Sequence, residues 1–383
     1  MTVKVTGVGS WWMVVLLSLF SLGVEGSDLR LIEAVRNGDR EVVRSLLKEQ
    51  VDVNTSQADG ATALQWAALQ DDLEAVELLI LARANVNAAN DYGVTALSLA
   101  CTNRNAALVE KLLQAGADPN STQLSGETVL MTCAGTGNLT AVKSLLARGA
   151  GVNAKESRHG QTALMWALAG RHPLVARALV EQGADVKARS KAGFTALMFA
   201  AQQGDIDSAR ILLAAGADVN EATPQHGNAL TVASASGHEA LSIFLLEKGA
   251  DPNSPNSDGV TALHYAVRRG VSTMDGITYD ESYRLLPPNM PELVKALLAH
   301  GANPNARIKK SNPLGPDAPQ AGVGMAGQTP FFLAALSGDV AIMRVLVNNG
   351  GDPRLTAGGD TTPLMAVAGS AVCAPTSHKL GGA

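Results

Sequence analysis

The sequence predicts an all-α fold, a solenoid of about ten helix-turn-helix units with hairpin-type loops, preceded by an N-terminal signal helix. First, one Leu of a T-A-L triplet recurs at steps of 33 or 34 residues through most of the chain. Second, each period contains two short apolar stretches with helical spacing, separated by a short break that contains Gly in most repeats. Third, 46% of the residues are hydrophobic but only 4% are aromatic, as expected where small side chains pack closely spaced helices. The marker is Leu64, Leu97, Leu130, Leu164, Leu197, Leu230 and Leu263, and then Phe331 and Leu364.

The unit at residues 191–223 shows how each period is expected to fold. Gly193 lies at a hairpin tip, where it can take a positive φ without a Cβ clash. Thr195 is placed to cap the first helix, Ala196–Gln203, by accepting a hydrogen bond from an unpaired backbone N–H. A Gly-Asp break ends this helix, and the apolar spacing predicts a second helix over Ile206–Ala215.

This unit resembles the ankyrin repeat, whose pattern is D-G-x-T-P-L-H-x-A-A, a G-H break, V-x-x-L-L and then G-A-D-x-N. The best matches are D-G-V-T-A-L-H-Y-A at residues 258–266 and G-A-D-P-N at residues 249–253. The resemblance covers residues 28–372, although Ala usually replaces the first-turn Pro and the His is kept only at His264. It implies a partner groove lined by hairpin tips and first helices. We expect an exported, bacterial member of that family.

The segment before the repeats, residues 1–26, has the composition of an export signal. Its apolar run at residues 11–24 is short for a membrane span but typical of a signal h-region. Val24 and Gly26 provide small residues for cleavage before Ser27. We therefore expect a cleaved signal peptide and a periplasmic or secreted protein. The alternatives are an uncleaved membrane anchor at residues 11–24 and a start site placed too early.

The repeat array is predicted over residues 27–372 and begins with a repeat that lacks its hairpin. Its regularity fails once, where 68 residues separate two successive markers. Only one helix pair fits there, and insertions at residues 270–289 and 307–326 fill the remainder. Loops this long in a compact array are functional more often than ordinary connections are. Residues 373–383 are predicted to be a disordered tail. The helix pair is expected at Ala262–Arg269 and Pro291–His300.

Composition argues against several classes of partner and cofactor. The net charge of −5 gives no electrostatic case for nucleic acid, and a membrane partner is expected only if the N-terminal segment is uncleaved. The seven His residues lack metal-ligand spacing, and the chain has no phosphate-binding or dinucleotide fingerprint. We therefore predict no metal and no cofactor.

Cysteine and the repeated Asp and Asn residues are predicted to be structural. The odd set of Cys101, Cys133 and Cys373 indicates small core residues rather than a disulfide framework or a zinc site. The Asp and Asn of the G-A-D-x-N turns are predicted to bond the local backbone. They include Asp118, Asn120, Asp218, Asn220, Asp251 and Asn253.

The candidate partner-binding residues are those that differ from repeat to repeat at hairpin tips and at the end of one first helix. Scaffold positions recur because packing fixes them, so the variable positions are free to recognise a partner. Exposed aromatic residues and Arg are also enriched at binding hot spots. The candidates are Tyr92, Arg158, His159, Lys191, Phe194, His226, Arg268 and Arg269.

The predicted function is a non-catalytic protein-protein interaction scaffold that binds another protein through the groove and the 307–326 loop. One alternative is the recognition arm of a secreted effector or toxin, although no toxic segment is visible. Another is an enzyme that uses the insertions, with Asp280, Glu281 or Tyr283 at its site. These three residues have no neighbouring His in the sequence, which disfavours catalysis.

Overall fold

The computed structural model describes residues 28–267, 290–309 and 326–372, which form two compact units. The N-terminal unit contains residues 28–199 and 207–217. The C-terminal unit contains the other described residues, 200–206 and those from 218 onward. The predicted signal segment and tail, the first insertion and most of the second, together with Arg268 and Arg269, lie outside the described residues.

The described residues contain α-helices and isolated antiparallel bridges but no extended strand, which confirms the all-α class. Within them, nine repeats each supply a first and a second helix in chain order, and α19 is the first helix of a tenth repeat. The helices are α1 (Arg30–Arg36), α2 (Arg40–Lys48), α3 (Ala63–Leu69), α4 (Leu73–Leu81), α5 (Ala96–Thr102), α6 (Ala106–Gln114), α7 (Val129–Gly135), α8 (Leu139–Ala147), α9 (Ala163–Ala169), α10 (Pro173–Glu181), α11 (Ala196–Gln203), α12 (Ile206–Ala214), α13 (Ala229–Ala235), α14 (Glu239–Glu247), α15 (Ala262–Val267), α16 (Pro291–Ala299), α17 (Pro330–Leu336), α18 (Val340–Asn348) and α19 (Pro363–Val372).

The predicted Thr caps begin the first helices. The Thr195 hydroxyl accepts a hydrogen bond from the Met198 N–H at 3.3 Å, which confirms its predicted role. Five second helices use a different residue type, since Asp or Asn at the break between the helices accepts the corresponding bond. Helix α11 has its predicted bounds, whereas α12 and α16 each end one residue earlier than predicted. The first-helix caps are Thr62, Thr95, Thr128, Thr162, Thr195 and Thr329, and the second-helix caps are Asp39, Asp72, Asn105, Asn138 and Asp339.

Small residues let the first helices of the N-terminal unit pack closely. Ala67, Ala100 and Ala167 have no exposed surface, and their helices pack side by side in the order α3, α5, α7 and α9. The second helices cover this layer with buried Leu residues such as Leu112 and Leu145. Each fully buried Leu contributes about 2 kcal/mol of transfer free energy. The core therefore consists of an Ala-rich inner layer and a Leu-rich outer layer.

The prediction that Cys101 and Cys133 are unpaired core residues is wrong. Both are fully buried, as expected, but a disulfide joins them across α5 and α7. Their Cα atoms are 4.7 Å apart, because these two helices are in backbone contact. The same closeness lets the Thr136 hydroxyl donate to the Cys101 carbonyl oxygen at 3.1 Å. An odd number of Cys residues means that at least one is unpaired, but it does not exclude a disulfide between two of the three.

The predicted role of the repeated turn residues is correct for Asp and wrong for Asn. The Asp118 carboxylate accepts a local bond from the Asn120 N–H at 2.9 Å. The Asn120 side chain instead bonds the next repeat, donating to the Gly149 carbonyl at 3.2 Å and accepting from the Gly151 N–H at 2.8 Å. This paired amide bond holds consecutive turns together. It recurs at Asn87 and Asn153 in the N-terminal unit and at Asn220, Asn253 and Asn305 in the C-terminal unit.

Replacing Asn120 by Ala is expected to lower the free energy of unfolding by about 1 kcal/mol, because two partly solvated inter-repeat hydrogen bonds are lost. Urea denaturation followed by circular dichroism measures this change. Gln114→Ala is the matched control, since that exposed amide bonds Glu110 within the same helix. Equal effects of Asn120→Ala and Gln114→Ala would contradict an inter-repeat role for Asn120.

Candidate protein-binding surface at the hairpin tips

Neighbouring hairpin tips of the N-terminal unit are joined by backbone hydrogen bonds. The Leu124 N–H donates to the Tyr92 carbonyl at 3.1 Å, and the Lys191 N–H donates to the His159 carbonyl at 2.7 Å. The Ser157 and Ser125 backbones form a similar bond at 2.9 Å. The tip backbones are therefore fixed before any partner binds, and their side chains project from a preformed support.

Gly93 shows how closely these tips approach each other. Its φ is +77°, and a Cβ at this position would lie 2.9 Å from the Thr122 carbonyl oxygen and the Gln123 Cα atom. Backbone atoms cannot yield in the way that a flexible side chain can. Any larger residue at this position would separate two tips, so Gly is needed here for both its conformation and its size.

Two adjacent tips carry large exposed hydrophobic side chains. Tyr92 is 64% exposed and Leu124 is 77% exposed. The hydrogen bond between their backbones places them next to each other. Of the predicted residues, Tyr92 therefore lies where expected, and Leu124 is a neighbour that the sequence reasoning missed.

The next two hairpins are basic. Lys155, Arg158, Lys187, Arg189 and Lys191 are all exposed on the hairpins at residues 153–160 and 185–193. The Lys155 ammonium donates to the Arg189 carbonyl at 3.0 Å, and the Lys191 ammonium donates to the Ser157 carbonyl. These contacts are with neutral carbonyl groups, so they hold the side chains in place without neutralising their charge.

A buried carboxylate shapes the first of these basic hairpins. Glu156 is 5% exposed and accepts hydrogen bonds from the backbone N–H groups of Arg158, His159 and Gln161. Burial opposes its ionisation, but the bonds from Gln161, His159 and Arg158 outweigh burial and lower the pKa of Glu156. The ionised carboxylate thus turns the chain so that Arg158 and His159 face outward at the tip.

Glu156 belongs to a recurring set of side-chain acceptors that the sequence reasoning missed. The amide oxygen of Asn90 accepts from the Tyr92 and Val94 N–H groups, and that of Asn256 accepts from the Asp258 and Val260 N–H groups. The signal was visible as a polar residue at the same place in successive repeats. The acceptors at this place are Asn90, Glu156, Ser190, Thr223 and Asn256.

A second carboxyl group lies under the tips. Burial raises the pKa of Glu127, and the nearby Glu156 charge raises it further, while a hydrogen bond from the Thr132 hydroxyl at 3.1 Å opposes the shift. Gln161 and Gln328 occupy the same position in other repeats. Glu127 and Glu156 thus lie beneath the tips, whereas Asp185 is exposed on the second basic hairpin together with the cations.

The other predicted residues are not part of this exposed row. Phe194 is half-buried and packs edge-to-face against Phe199, with ring centroids 5.5 Å apart. His226 lies in the C-terminal unit, where burial lowers its pKa. It lines a small pocket together with Tyr265, whose hydroxyl accepts from the Asn256 amide at 3.3 Å. Arg268 and Arg269 lie outside the described residues.

None of the described helices has the length and apolar character needed to cross a bilayer. The described part of the chain holds no cluster of three or more His, Cys, Asp or Glu side chains arranged to bind a metal ion.

Family models for ankyrin repeats match most of the chain. A three-copy ankyrin repeat model matches residues 31–123, 103–190, 130–223 and 197–275. Two models of a single ankyrin repeat match residues 258–309 and 326–355. No curated protein matches the chain. The three-copy matches alone extend from residue 31 to residue 275, which is more than half of the sequence.

Proposed function

The chain belongs to the ankyrin repeat family, whose repeats generally mediate protein-protein interactions and are typically non-catalytic, and on that premise we propose that it is a scaffold that binds one partner protein through its hairpin tips. The first helices next to the tips complete the surface. The 307–326 insertion is proposed to contribute to it as well.

One observation carries this proposal: the tip side chains differ from repeat to repeat while their backbones are held by a regular set of hydrogen bonds. Tyr92 and Lys191 occupy equivalent tips, and each is anchored to a neighbouring tip through the backbone. A rigid support lowers the ordering entropy that binding costs. Variation of exposed side chains on a fixed backbone is therefore suited to recognition of a partner.

The test compares three versions of the chain from Ser27 onward as affinity baits, with captured proteins measured by quantitative mass spectrometry. The tip variant carries Tyr92→Ala, Arg158→Ala and Lys191→Ala. The control variant carries Lys143→Ala and Arg177→Ala, two exposed positions on α8 and α10. We expect at least one protein that the wild type and the control variant enrich and the tip variant loses, with unchanged unfolding midpoints. Capture that is the same in all three baits would refute the proposal.

We also propose that the protein is exported. The apolar run at residues 11–24 supports export, and so does the Cys101–Cys133 disulfide, because disulfides persist mainly in oxidising compartments. The alternative of an anchored chain and the bacterial origin stay predictions.

N-terminal sequencing and thiol alkylation of the protein from its native host test this second proposal. We expect a mature chain that begins at Ser27 and two cysteines that alkylate only after reduction. A full-length chain in which all three cysteines alkylate without reduction would contradict export.

A further inference from the structure

The exposed tips of the N-terminal unit change character along the repeats. We name Tyr92, Leu124, Arg158, His159 and Lys191 the tip strip. It begins beside two acidic residues, Asp59 and Asp91, whose tips are joined by a backbone bond of 2.9 Å. It continues through the two hydrophobic side chains and ends on the two basic hairpins. The order is therefore acidic, apolar and then basic.

We propose that the tip strip binds an extended acidic segment of a partner protein, with an apolar side chain of that segment on Tyr92 and Leu124 and its carboxylates on the basic hairpins. This inference rests on the proposed scaffold function and specifies the chemistry of the partner.

The charge distribution identifies the partner as acidic. Without Arg189, which makes a further interaction, the two basic hairpins carry four cationic side chains against the carboxylates of Asp185 and Glu156, a net charge of +2, whereas the whole chain carries −5. Glu156 is buried and its charge is engaged by backbone N–H groups. The exposed surface there is thus positive on an otherwise negative protein. Complementary charge of this kind selects a partner and speeds its association.

The hydrophobic pair supplies an anchor that charge alone does not. Tyr92 and Leu124 expose most of their side chains side by side, and burial of such surface at an interface provides affinity. A partner held only by charge would leave this pair solvated. An acidic segment with one aromatic or aliphatic side chain covers both parts of the strip.

The spacing of the tips sets the length of the segment. Packed helix pairs lie about 10 Å apart, so the four tips from Tyr92 to Lys191 extend over roughly 30 Å. An extended chain advances about 3.3 Å per residue, so about ten to twelve residues cover the strip. Acidic residues about three to six positions from the apolar anchor reach the basic hairpins.

The small size of the basic patch and the overall negative charge favour a protein partner over nucleic acid. Four cations next to two carboxylates make a small patch, and the overall charge of −5 repels a polyanion that extends beyond it. The acidic tips at Asp59 and Asp91 lie at the other end of the strip. A short peptide whose apolar end lies on Tyr92 and Leu124 keeps its carboxylates away from Asp59 and Asp91, whereas a long phosphate backbone cannot.

The test measures fluorescence anisotropy with a labelled peptide of about twelve residues, with one Trp near one end and several Glu in the other half. The full chain should bind it, and binding should weaken as salt is raised. Arg158→Glu with Lys187→Glu should weaken binding at least about tenfold, and so should Tyr92→Ala with Leu124→Ala. The matched charge reversal Lys143→Glu with Arg177→Glu should change it less than about twofold.

The outcomes separate this inference from the proposed function. Equal binding of a peptide with Lys in place of Glu, or equal loss in the control variant, would overturn the acidic-partner assignment. A single-stranded oligonucleotide that binds through these residues while the Glu peptide does not would also overturn it, in favour of nucleic acid. If affinity capture depends on the tips but the Glu peptide does not bind, the scaffold function stands and this partner chemistry is wrong. If capture is also independent of the tips, both proposals fail.

Discussion

Replacing Cys101 and Cys133 with Ala is expected to lower the free energy of unfolding of the N-terminal unit by about 3–4 kcal/mol. The disulfide closes a loop with a sequence separation of 32, which restricts the unfolded chain. Ala occupies both positions in other repeats, at Ala100 and Ala134 for example, so the replacement fits the packing. The loss of stability therefore measures the contribution of the cross-link and not the cost of a steric clash.

The position of the cross-link indicates which helices open more readily when it is absent. Repeat proteins are stabilised by each repeat and by its interfaces with neighbours, so a bond across one interface joins two repeats into one cooperative unit. The disulfide joins α5 and α7, which belong to the third and fourth repeats. Without it, we expect the amides of these two helices to lose the most protection from hydrogen exchange.

The measurement is urea denaturation with and without reductant, combined with hydrogen exchange. Cys373→Ser is included in every protein to remove the third thiol, which lies outside the described residues. Reductant should shift the midpoint of the chain with the disulfide and leave the double Ala variant unchanged. Equal midpoints for these two proteins under oxidising conditions would show that the cross-link does not stabilise the fold.

The features visible in the sequence are those determined within one repeat. Thr195 and Gly193 could be assigned because a cap and a hairpin tip depend on residues a few positions away. The bonds of Asn120 and the pairing of Cys101 could not be assigned in that way. Their partners lie in the next repeat, and the pattern of a single repeat does not show which groups meet across the interface.

The candidate surface was predictable for a similar reason. Variation between repeats identified Tyr92, Arg158, His159 and Lys191 as tip residues, and the structure brings them onto neighbouring tips. It did not identify Leu124, because Leu is also the commonest core residue of this chain's second helices. Phe194 was chosen as an exposed aromatic, yet its ring packs against Phe199, one turn into its own first helix. Exposure depends on side-chain direction, which the repeat pattern alone does not give.

The stability of the C-terminal unit is expected to fall as the pH is lowered from about 6.5 to about 4, because His264 must stay neutral. His264 is fully buried, and its Nδ1 accepts a hydrogen bond from the Thr261 N–H at 3.1 Å. Its Nε2 donates to the Ala306 carbonyl at 3.1 Å, which links α15 to the following hairpin. A protonated Nδ1 can no longer accept this hydrogen bond, and its own N–H would face the Thr261 N–H.

The sign of the effect follows from the pKa shift. Burial disfavours the charged ring and lowers the pKa of His264 from 6.5 to about 4, although its backbone bonds oppose this shift. Between these two values the unfolded chain binds a proton that the folded chain does not, so acid favours unfolding. Integrated over the window, the loss is about 3 kcal/mol. This loss of stability is absent above pH 7 and complete below pH 4.

Replacement of His264 by Gln should remove this pH dependence while keeping the hydrogen bonds. Gln65 already occupies the equivalent position, where its side chain accepts from the Thr62 N–H at 2.8 Å and donates to the Ala88 carbonyl at 3.0 Å. Urea denaturation at several pH values measures the difference in the free energy of unfolding between the wild type and His264→Gln. This difference should grow by about 3 kcal/mol in favour of the variant as the pH falls.

His300→Gln is the control, because that exposed ring lies in the same unit. Parallel pH profiles for His264→Gln and the wild type would show that the proton uptake on unfolding occurs elsewhere. A difference that appears only for His264→Gln would assign the acid sensitivity of the C-terminal unit to this one imidazole.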